Sequence, residues 1–462
     1  MNYLLLTYMP VDWSSLWKKE DWWAVWVGFI IILIGLAAAA ATGWKAQPFL
    51  QPWTGWYANI EKLAIDVQHG LGWIAVFIFT LILTMIGVCA IEGRFVKEYI
   101  PGYIVVFILA WISVMIGAIP IFKAYGLEYP LWALIVGLLI SNTVGVPKWL
   151  KPAVRTEFFI KIGLVILGLG IFFTDLVVAG GLAVAQALIN VLVIWYVAYY
   201  ICRGFGLDRE FSSVMATGVS ICGVSAAIAA GGAVKGDPKY VSYTISMVLI
   251  TAIPMLIGIP YLVKALAPAL GKYWLHVGGA WIGATIDTTP AVVAAGGFLG
   301  GRALDVAAIV KMAQNILIGF AAFIMAVYWV FRVEKKPEER VSPMEVWYRF
   351  PKFILGFIVA SILVTIVISS IAAATGLSLA KAKSDFVVKF WQGAVDKYRS
   401  IVFFPLAFVG IGLDTRFKDL VAIGRGRPAV AYVIAQCINI VFSLFLVWLL
   451  WGGIFFTPPL AE

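Results

Sequence analysis

Two short stretches of the chain set helix breakers and hydroxyl side chains inside long apolar runs. The first is Thr217-Gly218-Val219-Ser220-Ile221-Cys222-Gly223-Val224-Ser225-Ala226-Ala227, and the second is Gly283-Ala284-Thr285-Ile286-Asp287-Thr288-Thr289-Pro290-Ala291. Glycine and proline interrupt a helix, and Ser or Thr suits the first position of a new one. A helix restarted at membrane depth offers bare N–H groups and the positive end of its dipole to an anion. The carbonyls freed from the preceding half can hold a cation. Small residues at such places can also serve merely to let helices pack closely.

Asp287 stands in the same apolar surroundings. A carboxylate near the centre of a bilayer costs about 2.5–3.5 kcal/mol on insertion scales. There it can act as a proton or cation carrier, as a partner for Lys311, or as a cap for the helix that begins at Thr288. Lys311 lies about two turns of apolar helix beyond Arg302. It reads as an inward-facing cation that pairs with Asp287 or offsets a substrate anion, with snorkelling from a helix end as the alternative. Gln314 and Asn315 follow within one turn and extend the polar patch. Asn142, Gln186, Asn190, Gln436 and Asn439 read as hydrogen-bond links between helices.

Other chemistries find few residues to work with. Cys89, Cys202, Cys222 and Cys437 are far apart with no CxxC spacing, and the histidines are His69 and His276 alone. Neither histidine has a GxSxG-like elbow near it, and no Walker loop is present. Neither a metal, a cofactor nor an enzymatic activity is expected.

Composition dictates what carries these residues. Of 462 residues, 63% are hydrophobic and 13% charged, with a mean hydropathy of +0.98. Soluble chains are about 45–50% apolar and roughly 25% charged, so in water this chain would expose far too much apolar surface. Apolar runs of about 20 residues recur, the length of a helix that crosses a bilayer. A barrel would show alternating stretches of about ten. An all-α polytopic membrane protein is expected, with thirteen spans near 22–43, 71–91, 99–122, 129–145, 158–173, 177–201, 211–235, 240–266, 272–298, 303–331, 350–375, 399–415 and 428–451. Aromatic residues gather at span ends, as at Trp22-Trp23, Trp44, Trp53, Trp56, Trp195-Tyr196 and Trp448. The first span follows a polar head and reads as an anchor, not a cleaved leader. The net charge of +10 is spread over the loops with no basic, aromatic-interleaved stripe, which argues against nucleic acid as a partner. Lys and Arg in alternate loops predict a cytoplasmic N-terminus, with the Lys-rich 376–399 segment as the exception.

The two broken stretches echo one another. Ser220-Ile221 aligns with Thr285-Ile286, Ala226 with Ala291, and Ala229-Ala230-Gly231-Gly232 with Ala294-Ala295-Gly296-Gly297, at a constant shift. A looser echo links Gly168-Leu169-Gly170 through Asp175-Leu176-Val177 with Gly410-Ile411-Gly412 through Asp419-Leu420-Val421. Duplicated halves that face each other are the plan of many secondary transporters. The expected organisation is N-terminal helices over 1–128, a transporter core with two repeats over 129–451, and a charged cytoplasmic loop at 332–349.

The first stretch closely resembles the signature of the sulfate exporter (YeiH-like) family. So do Asp287-Thr288 with Val292-Val293-Ala294-Ala295-Gly296, the pair Val310-Lys311, and Phe408-Val409-Gly410-Ile411-Gly412-Leu413-Asp414-Thr415. The resemblance covers residues 129–450, and the Trp-rich segment before it looks like an added or divergent portion. It implies a place in the broad superfamily of cation/proton antiporters and anion transporters, whose inverted-repeat fold has crossed, interrupted helices and a core that moves against a scaffold. Ile286 precedes the Asp where the family often has His, Thr289-Pro290 follow Thr288, and Gln314 stands where an Arg is frequent. The implied function is secondary active export of a small anion, sulfate or an organosulfonate, across the plasma (inner) membrane. Its binding residues would be Ser220, Cys222, Gly223, Ser225, Thr285, Asp287, Thr288, Thr289, Lys311 and Gln314, with H+ or Na+ coupled through Asp287. The alternative is a cation/proton antiporter in which Asp287 itself carries the ion. The lipid bilayer and a second copy of the chain are the remaining expected partners.

Overall fold

In a bilayer, apolar runs have nothing to satisfy their backbone except themselves, and they become helices. The computed structural model describes residues 14–41, 67–124, 129–333, 350–379, 395–416 and 426–460, with 347, 381, 382 and 418 besides. Among these residues there is no strand. The chain opens with α1 (Glu20–Ala41), α2 (Val67–Glu92) and α3 (Tyr99–Gly117). Two short helices follow, α4 (Tyr129–Thr143) and α5 (Thr156–Gly168), and then the long α6 (Phe173–Gly204). Next come α7 (Arg209–Ser220), α8 (Val224–Ala233) and α9 (Pro238–Leu270). Two more short helices, α10 (Trp274–Thr285) and α11 (Thr289–Leu299), lead into α12 (Arg302–Tyr328). The described chain ends with α13 (Phe353–Thr375), α14 (Phe404–Asp414) and α15 (Arg427–Trp451).

Eight helices among the described residues, not thirteen, are long and apolar enough to cross a membrane: α1, α2, α3, α6, α9, α12, α13 and α15. They coincide with eight of the expected spans. The other five are short or interrupted. The 129–145 and 158–173 spans are the 15-residue α4 and 13-residue α5, and 399–415 is a π-helical turn, Tyr398–Phe403, leading into the 11-residue α14. The 211–235 and 272–298 spans each divide into two helices. A 12-residue helix such as α7 or α10 is about 18 Å long, short of a hydrocarbon core about 30 Å thick.

The sequence echo has a structural counterpart. α6 starts at Phe173 and α9 at Pro238, α7 ends at Ser220 and α10 at Thr285, and α8 starts at Val224 and α11 at Thr289, each pair 65 residues apart. The repeated unit is one long helix and one broken helix, in immediate succession. Halves of the chain related by inversion are not what this order shows. The looser echo runs into 419–421, outside the described residues, as does most of the 332–349 loop.

One apolar core joins the N-terminal helices to the rest. Ala24, Val25, Val27 and Ile31 of α1 are buried in it together with Val165 of α5 and Phe357 of α13. The outer faces are apolar too. Ile74, Ile78, Ile82 and Ile86 form an exposed row on α2, and Ile100, Ile104, Ile108 and Ile112 form one on α3. Rows spaced by four residues lie on one side of a helix, and a continuous apolar exterior of this kind is the surface that lipid requires.

α4 and α14 cross at backbone contact. A Cβ at Gly412 would lie 2.6 Å from the Leu138 nitrogen and 2.7 Å from the Gly137 Cα. Ser141 Oγ then donates to the Gly412 and Thr415 carbonyls at 2.8 and 2.7 Å. Gly412→Val should force the crossing open and cost about 1–3 kcal/mol or more. A thermal melt of the detergent-purified variant at the wild-type temperature would refute this packing.

Candidate functional site

The site forms where the two broken helices meet. α7 ends at Ser220, and Ile221, Cys222 and Gly223 carry the chain to α8. Gly223 has φ +61°, and a Cβ there would lie 3.1 Å from the Asp287 carbonyl oxygen and collide with Val248. Glycine is therefore required twice over, for the left-handed backbone and for contact between the two breaks. In the second break, Ile286 is extended (ψ 126°) and Thr288 caps α11 by accepting from the Ala291 N–H at 3.4 Å.

The carbonyls freed by the breaks are closed off by side chains of α12 and α15. Lys311 Nζ donates to the Ile221 carbonyl at 2.7 Å and to Gln314 Oε1 at 3.0 Å. Gln314 Nε2 donates to the Ala284 carbonyl at 3.0 Å, Gln436 Nε2 to that of Thr285 at 2.8 Å, and Asn439 Nδ2 to that of Val219 at 3.3 Å. Lys311, Gln314, Gln436 and Asn439 are all at least 96% buried. A buried carbonyl without a donor costs about 1–3 kcal/mol, so these four side chains stabilise the interruption itself.

Asp287 is buried beside them. Its Oδ2 accepts from the Tyr432 hydroxyl at 2.9 Å, while Oδ1 has no hydrogen-bond partner among the described residues. The anticipated ion pair with Lys311 is not formed. Lys311 is held by a carbonyl and an amide instead, because the orphaned Ile221 carbonyl offers it a fixed acceptor at the break. The Thr288 hydroxyl, not the Asp287 carboxylate, caps α11.

The amide side of the breaks is different. Pro290 and the Thr288 cap leave α11 few free N–H groups, whereas the residue that opens α8, Gly223, has no side chain with which to cap it. Its Val224 and Ser225 lie against a cavity of about 120 Å³ that is also lined by Cys222, Thr288, Thr289 and Asn315. A water needs about 10–15 Å³ of such space, so a small polyatomic ion fits. Asn315 Nδ2 donates to Thr289 Oγ1 at 3.1 Å. The opposite wall holds charges that sequence reasoning missed, namely Asp21 of α1 with Glu157 and Lys161 of α5.

Of the ten expected site residues, Cys222, Ser225, Thr288 and Thr289 line this cavity, and Gly223 shapes the turn beside it. Ser220, Thr285, Asp287, Lys311 and Gln314 do not line it. The Thr285 hydroxyl turns back to the Trp281 carbonyl, and Ser220 Oγ is buried without a partner among the described residues. Lys161 could have been found by the criterion that singled out Lys311, a cation inside an apolar run. No group of three or more metal-ligating side chains occurs among the described residues.

Gln314→Leu and Gln436→Leu should each leave one carbonyl of the second break bare and lower stability by about 1–3 kcal/mol. Denaturation monitored by tryptophan fluorescence in micelles measures it, and unchanged midpoints in both would show that the break does not need these amides.

The family described as conserved hypothetical protein 698 matches residues 101–432. A UPF0324 membrane protein of Rhodopirellula baltica is 42% identical over 345 residues, covering 72% of this chain and 60% of the relative. One of Nitratidesulfovibrio vulgaris is 37% identical over 340 residues, covering 72% and 56%. The chain thus spans less than two thirds of the length of these two relatives. A UPF0324 membrane protein of Nitrosomonas europaea is 31% identical and is matched along 91% of this chain and 93% of its own length. No solved structure matches.

Proposed function

The chain belongs to the conserved hypothetical protein 698 family of UPF0324 membrane proteins, and on that premise we propose that it is a secondary active transporter exporting a small anion, sulfate or an organosulfonate, across the plasma (inner) membrane. The observation that carries this reading is the uncapped start of α8 opening onto a polar cavity between helices. Unpaired N–H groups and the positive dipole end attract an anion most strongly where water is scarce. Ser225, Thr288 and Thr289 add hydroxyl donors. Substrate binding then falls to the amide side of the breaks.

Asp287 is the proposed coupling group. Its carboxylate lies behind the break, with Oδ1 free to take H+ or to ligate Na+. Loading it changes the charge facing Tyr432 on α15, while its own carbonyl abuts Gly223 at the start of α8. Ion binding and the anion-facing turn therefore share one backbone contact, the coupling that alternating access requires. Lys311 acts at one remove, by fixing the Ile221 carbonyl. The free Oδ1 also favours a second reading, a cation/proton antiporter with Asp287 as the carrier and no anion bound.

Two measurements test this. In proteoliposomes, radiolabelled sulfate flux should saturate, should lose its ion dependence in Asp287→Asn, and should fall roughly tenfold or more in Lys311→Ala. Wild-type flux in both variants would remove them from the mechanism. Cys222 in a chain carrying Cys89→Ala, Cys202→Ala and Cys437→Ser should react with methyl methanethiosulfonate and be protected by the transported anion. Protection by sodium alone would favour the antiporter reading.

A further inference from the structure

The cavity is electrically two-ended. At the break end stand the uncapped first turn of α8 and the hydroxyls of Ser225, Thr288 and Thr289. At the other end Lys161 Nζ lies 2.8 Å from Glu20, 3.0 Å from Asp21 and 3.9 Å from Glu157. Lys161 thus meets three carboxylates, of which Asp21 and Glu157 line the cavity itself, and Asp21 also stands in the field of Lys352. Asp21 is fully engaged, because its other oxygen accepts the Lys352 N–H at 2.9 Å. Glu157 is 51% exposed and reaches Lys161 only at the limit of an ion pair, which leaves it free to meet a ligand. A further acceptor stands on the lining. Asn315 is 96% buried, and its Oδ1 has no partner among the described residues.

A bare dianion would gain from the α8 end and be repelled at the other by Glu157, whose ion pair with Lys161 is stretched to 3.9 Å. We propose that the ligand carries both signs: a short aminosulfonate or amino acid whose acid group sits on the α8 N-terminus and whose ammonium points to Glu157, with Asn315 Oδ1 as a further acceptor. This rests on the anion-site reading and narrows it from anions in general to small zwitterions. Opposite charges on the ligand then match opposite charges on the walls, and the loosely paired Glu157 becomes a specificity device against plain anions.

Protection of Cys222 from methyl methanethiosulfonate, in the chain with Cys222 as its single cysteine, tests the inference with three probes: 2-aminoethanesulfonate, ethanesulfonate and sulfate. The aminosulfonate should protect at roughly tenfold lower concentration than the other two. Glu157→Gln should erase that advantage and improve protection by sulfate, with ethanesulfonate protection reporting that the variant is folded. Equal potency of the three probes in the wild-type chain would overturn the inference and leave the anion site standing. So would protection by ethanesulfonate that needs sodium, since the positive charge would then come from a separate ion. Absence of protection by any probe, in either chain, would defeat the anion site and the inference together.

Discussion

An amide carbonyl stranded at membrane depth has no water to turn to, and in this protein four of them dictate where two other helices lie. The carbonyls of Val219, Ile221, Ala284 and Thr285 are met by Asn439, Lys311, Gln314 and Gln436. On α15 the side chains that reach the breaks, Tyr432, Gln436 and Asn439, recur at helical spacing along one face, and Ser443 continues the row to Asn190 of α6. Trp451 prolongs the polar seam to Gln186. What reads as scattered buried amides is one continuous brace around the interrupted backbone.

That brace makes the two sides of each interruption unequal. The carbonyl side is filled by the protein's own donors, so a cation there must deal with Asp287 rather than with free oxygens. The amide side is left open at α8, and the cavity forms against it. The second break is the more self-contained, since Pro290 removes one donor and Thr288 occupies another. The two stretches are thus alike in sequence and unlike in what they offer a ligand.

Much of this was legible in the residues. Gly223 and Pro290 mark where helices stop and restart, and the constant shift between the two stretches reappears in the bounds of α6 to α11. The long uninterrupted runs gave the eight long helices directly. Misreadings arose where a polar group had a choice of partners. Asp287 and Lys311 have opposite charges and were natural mates, yet a phenol and a carbonyl took them, a choice that only three-dimensional proximity decides. The acidic wall was invisible for the same reason, since Glu20 and Asp21 lie some 140 residues before Lys161 and no local pattern links them. Short helices such as α5 and α14 are apolar enough to pass for full spans, because composition does not reveal how soon a neighbouring backbone cuts them off.

Asp21 shows how far the first helix is built into the whole. One oxygen is held by Lys161 on α5 and the other by the N–H that opens α13, so a single carboxylate staples three helices. Farther along, Gly356 of α13 sits where Val25 of α1 and Val165 of α5 converge. A fragment trimmed to the 101–432 stretch that defines the family would lose this staple and lay bare an apolar furrow along α5 and α13. In this chain the first helix therefore shares one packed core with the segment by which its kinship is recognised.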